Sequence, residues 1–172
     1  MADTIHVKGL SDLQKVLETL PTKLHANVLR DSMKAGAKLI QNDAKQRAPI
    51  GERGALKRSL RIRSRRRQGV AYVYVTVGGK YRGETVRYAH LIEMTGAQPH
   101  WIAPRRGVAL YFGGRMHFGP VYHPGFQPKP FLRPALDSQA YRAVTATAQY
   151  MRQRLATKHG LDTRHIMVEG DE

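Results

Sequence analysis

The residues best equipped for chemistry in this 172-residue chain are basic and lie close together. Arg53, Lys57, Arg58, Arg61, Arg63, Arg65, Arg66 and Arg67 are opposed locally only by Glu52, and this stretch supplies 7 of the +16 units of net charge. Arg61, Arg63 and Arg65 alternate with Leu60, Ile62 and Ser64. On a strand the three arginines therefore point to one face, where they can meet successive phosphates or an acidic protein surface. The competing reading is a solvated edge strand whose charge prevents sheet-to-sheet aggregation. No base-reading motif accompanies the row, so contact with DNA would be independent of sequence and would weaken steeply with salt.

Other constellations are weaker. His90 and Glu93 are one helical turn apart, and His100, His117 and His123 follow, but His90-Leu-Ile-Glu93 is not the HExxH arrangement of a metalloprotease. The chain has no cysteine, which removes thiolate metal sites, thiol catalysis and disulfides. Packed or hydrogen-bonded histidines are the better account. The acidic residues form no evident carboxylate pair, Ser59 has no G-x-S-x-G context, and the glycines form neither a P-loop nor a dinucleotide fingerprint. No catalytic residue, metal ligand or cofactor site is expected. A metal-dependent nuclease ranks last among the readings, because acidic ligands are not clustered.

The elements that must position the arginines can be read on either side of them. Leu13, Val16, Leu17 and Leu20 have the i, i+3, i+4, i+7 spacing of a short amphipathic helix, with Ser11 as its expected N-cap and Pro21 as its stop. Thr22 is expected to cap a longer helix reaching Ala48 before Pro49, whose Ala- and Gly-containing face would let another backbone approach closely. The turn at 49–54 leads into the basic strand, then Gln68-Gly69 suggests a hairpin into 70–77, a strand apolar enough on both faces to lie inside a sheet. Tyr88 to Met94 is expected to be a short helix closed by Thr95-Gly96.

The stretch 98–130 is rich in proline, yet carries Trp101, Tyr111, Phe112, Phe118, Tyr122 and Phe126. So many aromatics do not suit a solvated linker, and an ordered hairpin or arm with strands at 109–112 and 121–123 is expected. Pro134 suits the first turn of a closing helix, with Leu136, Ala140, Ala143, Val144, Thr147, Met151 and Leu155 on one face and Gly160 at its end. The remaining residues are expected to extend from the core as a tail.

Length suits one domain, taken as 1–159 including the arm, followed by a tail at 160–172. A 41% hydrophobic content excludes compositional disorder, and the longest nearly apolar stretch, 70–77, is far too short to span a bilayer as a helix. With no secretory signal in the first residues, a soluble protein of a reducing compartment is expected. The fold class is α+β: long N- and C-terminal helices packed on a small, mainly antiparallel sheet, with a protruding arm.

The order of these segments resembles a known family. A lysine-rich helix ending in Ala48-Pro49, a glycine-containing turn, Leu56-Lys-Arg-Ser-Leu60 before the basic strand, Tyr88-Ala-His-Leu-Ile-Glu93, and Lys129-Pro-Phe-Leu-Arg-Pro-Ala-Leu136 resemble the tail-component or neck-protein family of tailed bacteriophages. That family is typified by the tenth gene product of a lambdoid coliphage. The resemblance implies a non-enzymatic virion protein, assembled in the host cytoplasm into a ring of six or twelve subunits at the neck or tail top. Its partners would be portal-side adaptor or stopper proteins and the tail, with non-specific contact to packaged DNA and none to membrane. On this reading Arg58, Arg61, Arg63, Arg65, Arg66 and Arg67 contact DNA or an acidic neighbour. Trp101, Tyr111, Phe112, Tyr122, Phe126 and Phe131 contact other subunits. The rival reading is a cytosolic RNA-binding or ribosome-associated domain using the same arginines, with Tyr72, Tyr74 or Trp101 as stacking platforms.

Overall fold

Pro21 and Pro49 bracket the longest N-terminal apolar pattern, and a single helix fills the space between them. The computed structural model describes residues 7–51, 54–67, 70–81, 84–105, 107–112, 114–164 and 166–168. Glu52, Arg53, the Gln68-Gly69 turn and the acidic end of the chain lie outside the described residues. The chain divides into two units, one of Met1–Val86 with Phe131–Glu172 and one of Arg87–Pro130.

In the first unit, α1 spans Leu10–Glu18 and α2 spans Thr22–Arg47. Leu13 and Leu17 are buried, as their spacing requires. The N-cap is Gly9 rather than Ser11, which lies inside the helix. Gly9 takes a left-handed φ of 83°, and a Cβ there would run into the Met167 carbonyl, so tertiary packing fixes the helix start over the local capping preference. Pro21 is the residue before α2, and its carbonyl accepts from the Leu24 and His25 amides at 2.8 and 3.0 Å. Ala48 is extended, as the proline after it demands, and ends α2.

A five-residue helix, α3 (Ala55–Ser59), then places Ala55, Leu56 and Ser59 inside. It was not legible as a helix from its spacing. Two antiparallel hairpins follow: β1 (Arg61–Arg67) with β2 (Val70–Thr76), and β3 (Gly79–Tyr81) with β4 (Glu84–Val86). The first hairpin lies on α2. Contrary to the sequence expectation, β2 is not the interior strand of a sheet: among the described residues it pairs only with β1, and Val70, Tyr72 and Tyr74 are exposed.

Helix α4 is Leu132–His159, ending on Gly160 in the left-handed conformation at φ 64°. It packs chiefly against α2. Its buried side chains are Ala135, Ala143, Ala148, Met151 and Leu155, whereas Leu136, expected on the inner face, is half exposed. The main core joins Leu13, Leu17, Val28, Met151 and Leu155 to Ile166 and Val168. The last described residues therefore fold back instead of extending as a tail. The Arg152 guanidinium holds the Ile166 carbonyl at 3.2 Å, and Leu161 donates to the Leu155 carbonyl at 3.3 Å.

The second unit is a nested hairpin. A π-helical turn at Leu91–Thr95 replaces most of the expected short helix and closes through a 2.6 Å bond from the Gly96 amide to the Leu91 carbonyl. A bridge between Ala97 and Phe126 comes next. Then β5 (His100–Ile102) pairs antiparallel with β8 (Val121–His123), and β6 (Ala109–Phe112) with β7 (Arg115–Phe118). Both strands expected in this stretch are present, and their partners complete the ladder. The α+β class holds, with the antiparallel pairing among the described residues distributed over four two-stranded ladders.

Candidate functional site

Alternation along β1 sorts the basic residues onto two faces. Arg61, Arg63, Arg65 and Arg67 stand opposite Thr76, Tyr74, Tyr72 and Val70. Ile62, Ser64 and Arg66 share the other face with Ala71, Val73 and Val75. Val73 lies over the α2 residues Met33, Gly36 and Ile40, so that second face is the one turned to the helix. Arg66 thus leaves the row formed by the other strand arginines, although it too is exposed. Arg58 is exposed on α3.

Arg61 donates to the Lys80 carbonyl at 2.9 Å, which ties the inner end of the row to β3. Among the described residues, Arg63, Arg65 and Arg67 have no carboxylate within ion-pair distance. No acidic residue occurs in the sequence between Glu52 and Glu84. Among the described residues Arg63, Arg65 and Arg67 therefore form a run of positive charge without a carboxylate partner, which is what attracts a polyanion. The aromatic component was legible only in part: Tyr72 and Tyr74 follow from period two, but their placement opposite Arg65 and Arg63 depends on the register of β1 against β2.

The expected subunit-contact residues fall into two groups. Trp101 and Tyr122 form a cross-strand pair with ring centroids 5.2 Å apart, and Trp101 remains 67% exposed. Tyr111, 71% exposed, stands opposite Met116 in the β6–β7 ladder, with Phe118 next on that face and 76% exposed. Phe112 stacks on His117 at 4.0 Å, and Phe126 joins the bridge at the hairpin base. Met116 and Phe118 belong to this apolar surface as well; Phe118 was read as an arm aromatic but not as a subunit contact, and Met116 was missed although the alternation along 115–118 signals it. Phe131 is different. Its side chain is fully buried, so it is core and cannot present its ring to another subunit in this fold.

Three of the four histidines singled out in the sequence are held by hydrogen bonds, and His117 stacks on Phe112. His90 and His100 donate from Nδ1 to the Arg87 and Gln98 carbonyls at 2.8 and 2.7 Å, whereas His123 Nδ1 accepts from the Gly125 amide at 3.0 Å. Among the described residues no three His, Asp or Glu side chains converge on a point that could hold a metal ion. No described helix is long and apolar enough to cross a membrane.

Residues 11–94 match the family model described as "Bacteriophage HK97-gp10, putative tail-component". Over this stretch the chain is similar to that phage tail-component family. The match runs from α1 through the basic hairpin to the π-turn, and so includes the arginine row. The β5–β8 hairpin, α4 and the segment from Lys129 to Leu136 lie beyond it. No curated protein and no solved structure matches the chain significantly. The match supports a bacteriophage tail component.

Proposed function

We propose that this chain, similar over residues 11–94 to a phage tail-component family, is a neck or tail-completion protein, a non-enzymatic subunit of a closed ring at the head–tail junction. The ring would link portal-side adaptors to the tail and surround the DNA path. The observation that carries this reading is the apolar surface of the nested hairpin: Trp101, Tyr111, Met116, Phe118 and Tyr122 are all more than half exposed. Monomeric proteins rarely leave such a surface in water, and a heterologous interface that closes on itself covers one arm per subunit. Six or twelve copies fit the symmetry that the family resemblance implies. In such a ring the hairpin acts as an arm on a neighbouring subunit, and Arg61, Arg63 and Arg65 face the DNA path or an acidic adjoining ring.

Negative-stain images and a mass measurement of the purified chain, alone and with connector proteins, test the reading. Closed rings are expected. Deleting residues 99–127 should leave a folded monomer, and rings that persist after the deletion would remove the arm from assembly. Charge reversal at Arg61, Arg63 and Arg65 should impair DNA retention or head–tail joining, whereas normal infectious particles would deny the row that role. The register of Tyr72 and Tyr74 against the arginines favours one second reading, a monomeric RNA-binding protein. Salt-sensitive RNA binding by a monomer that never forms rings would select it.

A further inference from the structure

The outer face of the β1–β2 hairpin combines two kinds of group in one register. Arg63 stands opposite Tyr74 and Arg65 opposite Tyr72, so cations climb one strand and phenol rings the other. The tyrosine rings are nearly parallel, 8° between planes and 6.1 Å between centroids, and they remain 40% and 44% exposed. Among the described residues Arg63, Arg65 and Arg67 are exposed and without a carboxylate partner.

We infer that this face binds single-stranded nucleic acid, with Arg63, Arg65 and Arg67 on successive phosphates and Tyr72 and Tyr74 stacked on unpaired bases. The inference rests on the nucleic-acid contact proposed for the same arginine row, but assigns it to an unpaired strand rather than to a duplex in the DNA path. Alternate residues of a strand are about 6.8 Å apart, which is the scale of the phosphate step along an extended polynucleotide strand. A duplex would satisfy the arginines alone, because its bases are already stacked on one another and offer no free ring face in the middle of the helix. An acidic protein would likewise supply carboxylates and leave two parallel rings without a planar partner. A single strand uses both components, since every base has a π-face and stacking tolerates any sequence. No base-edge reader is required, in agreement with the lack of a base-reading motif.

The test uses the full chain and fluorescence anisotropy with a labelled oligothymidylate, a duplex of equal length, and polyglutamate as competitor, across a salt series. Oligomeric mass is recorded in parallel, so ring formation is judged independently. The single strand is expected to bind at least roughly tenfold more tightly than the duplex. Tyr72→Ala and Tyr74→Ala should each weaken single-strand binding by roughly tenfold with the salt dependence unchanged, while Tyr72→Phe and Tyr74→Phe retain it. The phenylalanine variants separate loss of stacking from loss of the hairpin. Arg63→Gln with Arg65→Gln should lower the magnitude of the log–log salt slope by about 1.4, two phosphate contacts at about 0.7 each. Equal binding of both nucleic acids, insensitive to the tyrosines, overturns the inference but leaves the phosphate contact of the row intact. Failure to bind either nucleic acid overturns both.

Discussion

Gly36 of α2 lies so close to the carbonyl of Ala143 on α4 that a Cβ at position 36 has nowhere to go. The Thr147 hydroxyl occupies the same spot, fixed by its own 2.7 Å bond to that carbonyl. The long N- and C-terminal helices are thus joined backbone to backbone at the point where the helix face reads Ala35-Gly36-Ala37.

Gly36→Ala sets two effects against each other. Helix propensity favours alanine by about 1 kcal/mol, whereas overpacking against a neighbour typically costs about 1–3 kcal/mol. The obstacle here is backbone, which cannot swing aside like the end of a long side chain, so packing should win. A net loss of about 1 kcal/mol is expected from urea unfolding, and a larger loss for Gly36→Leu. A gain in stability on Gly36→Ala would show that the two helices can part at no cost.

Further along the same interface, Arg154 of α4 reaches Asp31 of α2 at 3.0 Å, with the side chains only 21% and 23% exposed. Arg154 also donates to the Tyr150 hydroxyl at 3.1 Å, and Asp31 accepts from Arg30 at 3.1 Å. Asp31→Ala leaves the Arg154 cation half sheltered and short of its carboxylate. A loss of about 1–2 kcal/mol is expected, above that of a surface pair and below that of a fully buried one. A double-mutant cycle with Arg154→Met measures the coupling directly, and a coupling near zero would make the pair a bystander of helix packing.

Asp43 gives the interface a dependence on acid. Arg47 donates to its carboxylate at 2.6 Å and Ser138 of α4 at 3.1 Å. The hydrogen bond from Arg47 is the largest influence and holds the carboxyl below its usual range; desolvation opposes it, and the Ser138 bond and the Arg47 charge reinforce it. With the folded pKa lower than the unfolded one, the unfolded chain binds more protons in the window between them. The contribution of Asp43 is therefore complete above about pH 4 and is lost as pH falls through the folded value. Urea midpoints of the parent chain and Asp43→Asn should differ near neutrality and converge in acid. A gap that is independent of pH would refute the linkage.

These side-chain relationships were partly written in the pattern of the sequence. The i, i+3, i+4 spacing around Leu13 and Leu17, the small residues around Gly36, and the alternation of Arg61, Arg63 and Arg65 all declare which face turns inward or outward, because each rests on local periodicity. What was hidden depends on groups far apart in the chain. Gly9 displaces Ser11 as cap because Met167 returns to that spot. Ile166 and Val168 are too few to announce themselves, yet they complete the core of α1. Phe131 resembles the exposed arm aromatics in type, and only the break between the two units at Pro130 and Phe131 distinguishes it. The candidate basic face was legible in its cations; its tyrosine half depended on register.

At the base of the nested hairpin, Ala97 and Phe126 exchange two backbone hydrogen bonds, each 2.9 Å. Gly96 and Gly125 flank that bridge with φ of 66° and 77°, and the fit is reciprocal: a Cβ on Gly96 would strike the Phe126 carbonyl, and one on Gly125 the Ala97 carbonyl. Left-handed backbone costs a residue with a Cβ about 1–2 kcal/mol before any clash is counted. Gly96→Val and Gly125→Val should therefore open the base of the hairpin. Hydrogen exchange is expected to accelerate at the Ala97 and Phe126 amides while the amides of Leu13 and Leu155, in the other unit, keep their protection. Because those two amides report only the bridge, unchanged exchange there would mean that neighbouring strands hold it without the glycines. If the hairpin joins subunits, the same variants should also shift the mass distribution from rings toward folded monomers, and rings of normal yield with an opened base would confine the subunit contact to residues outside the hairpin.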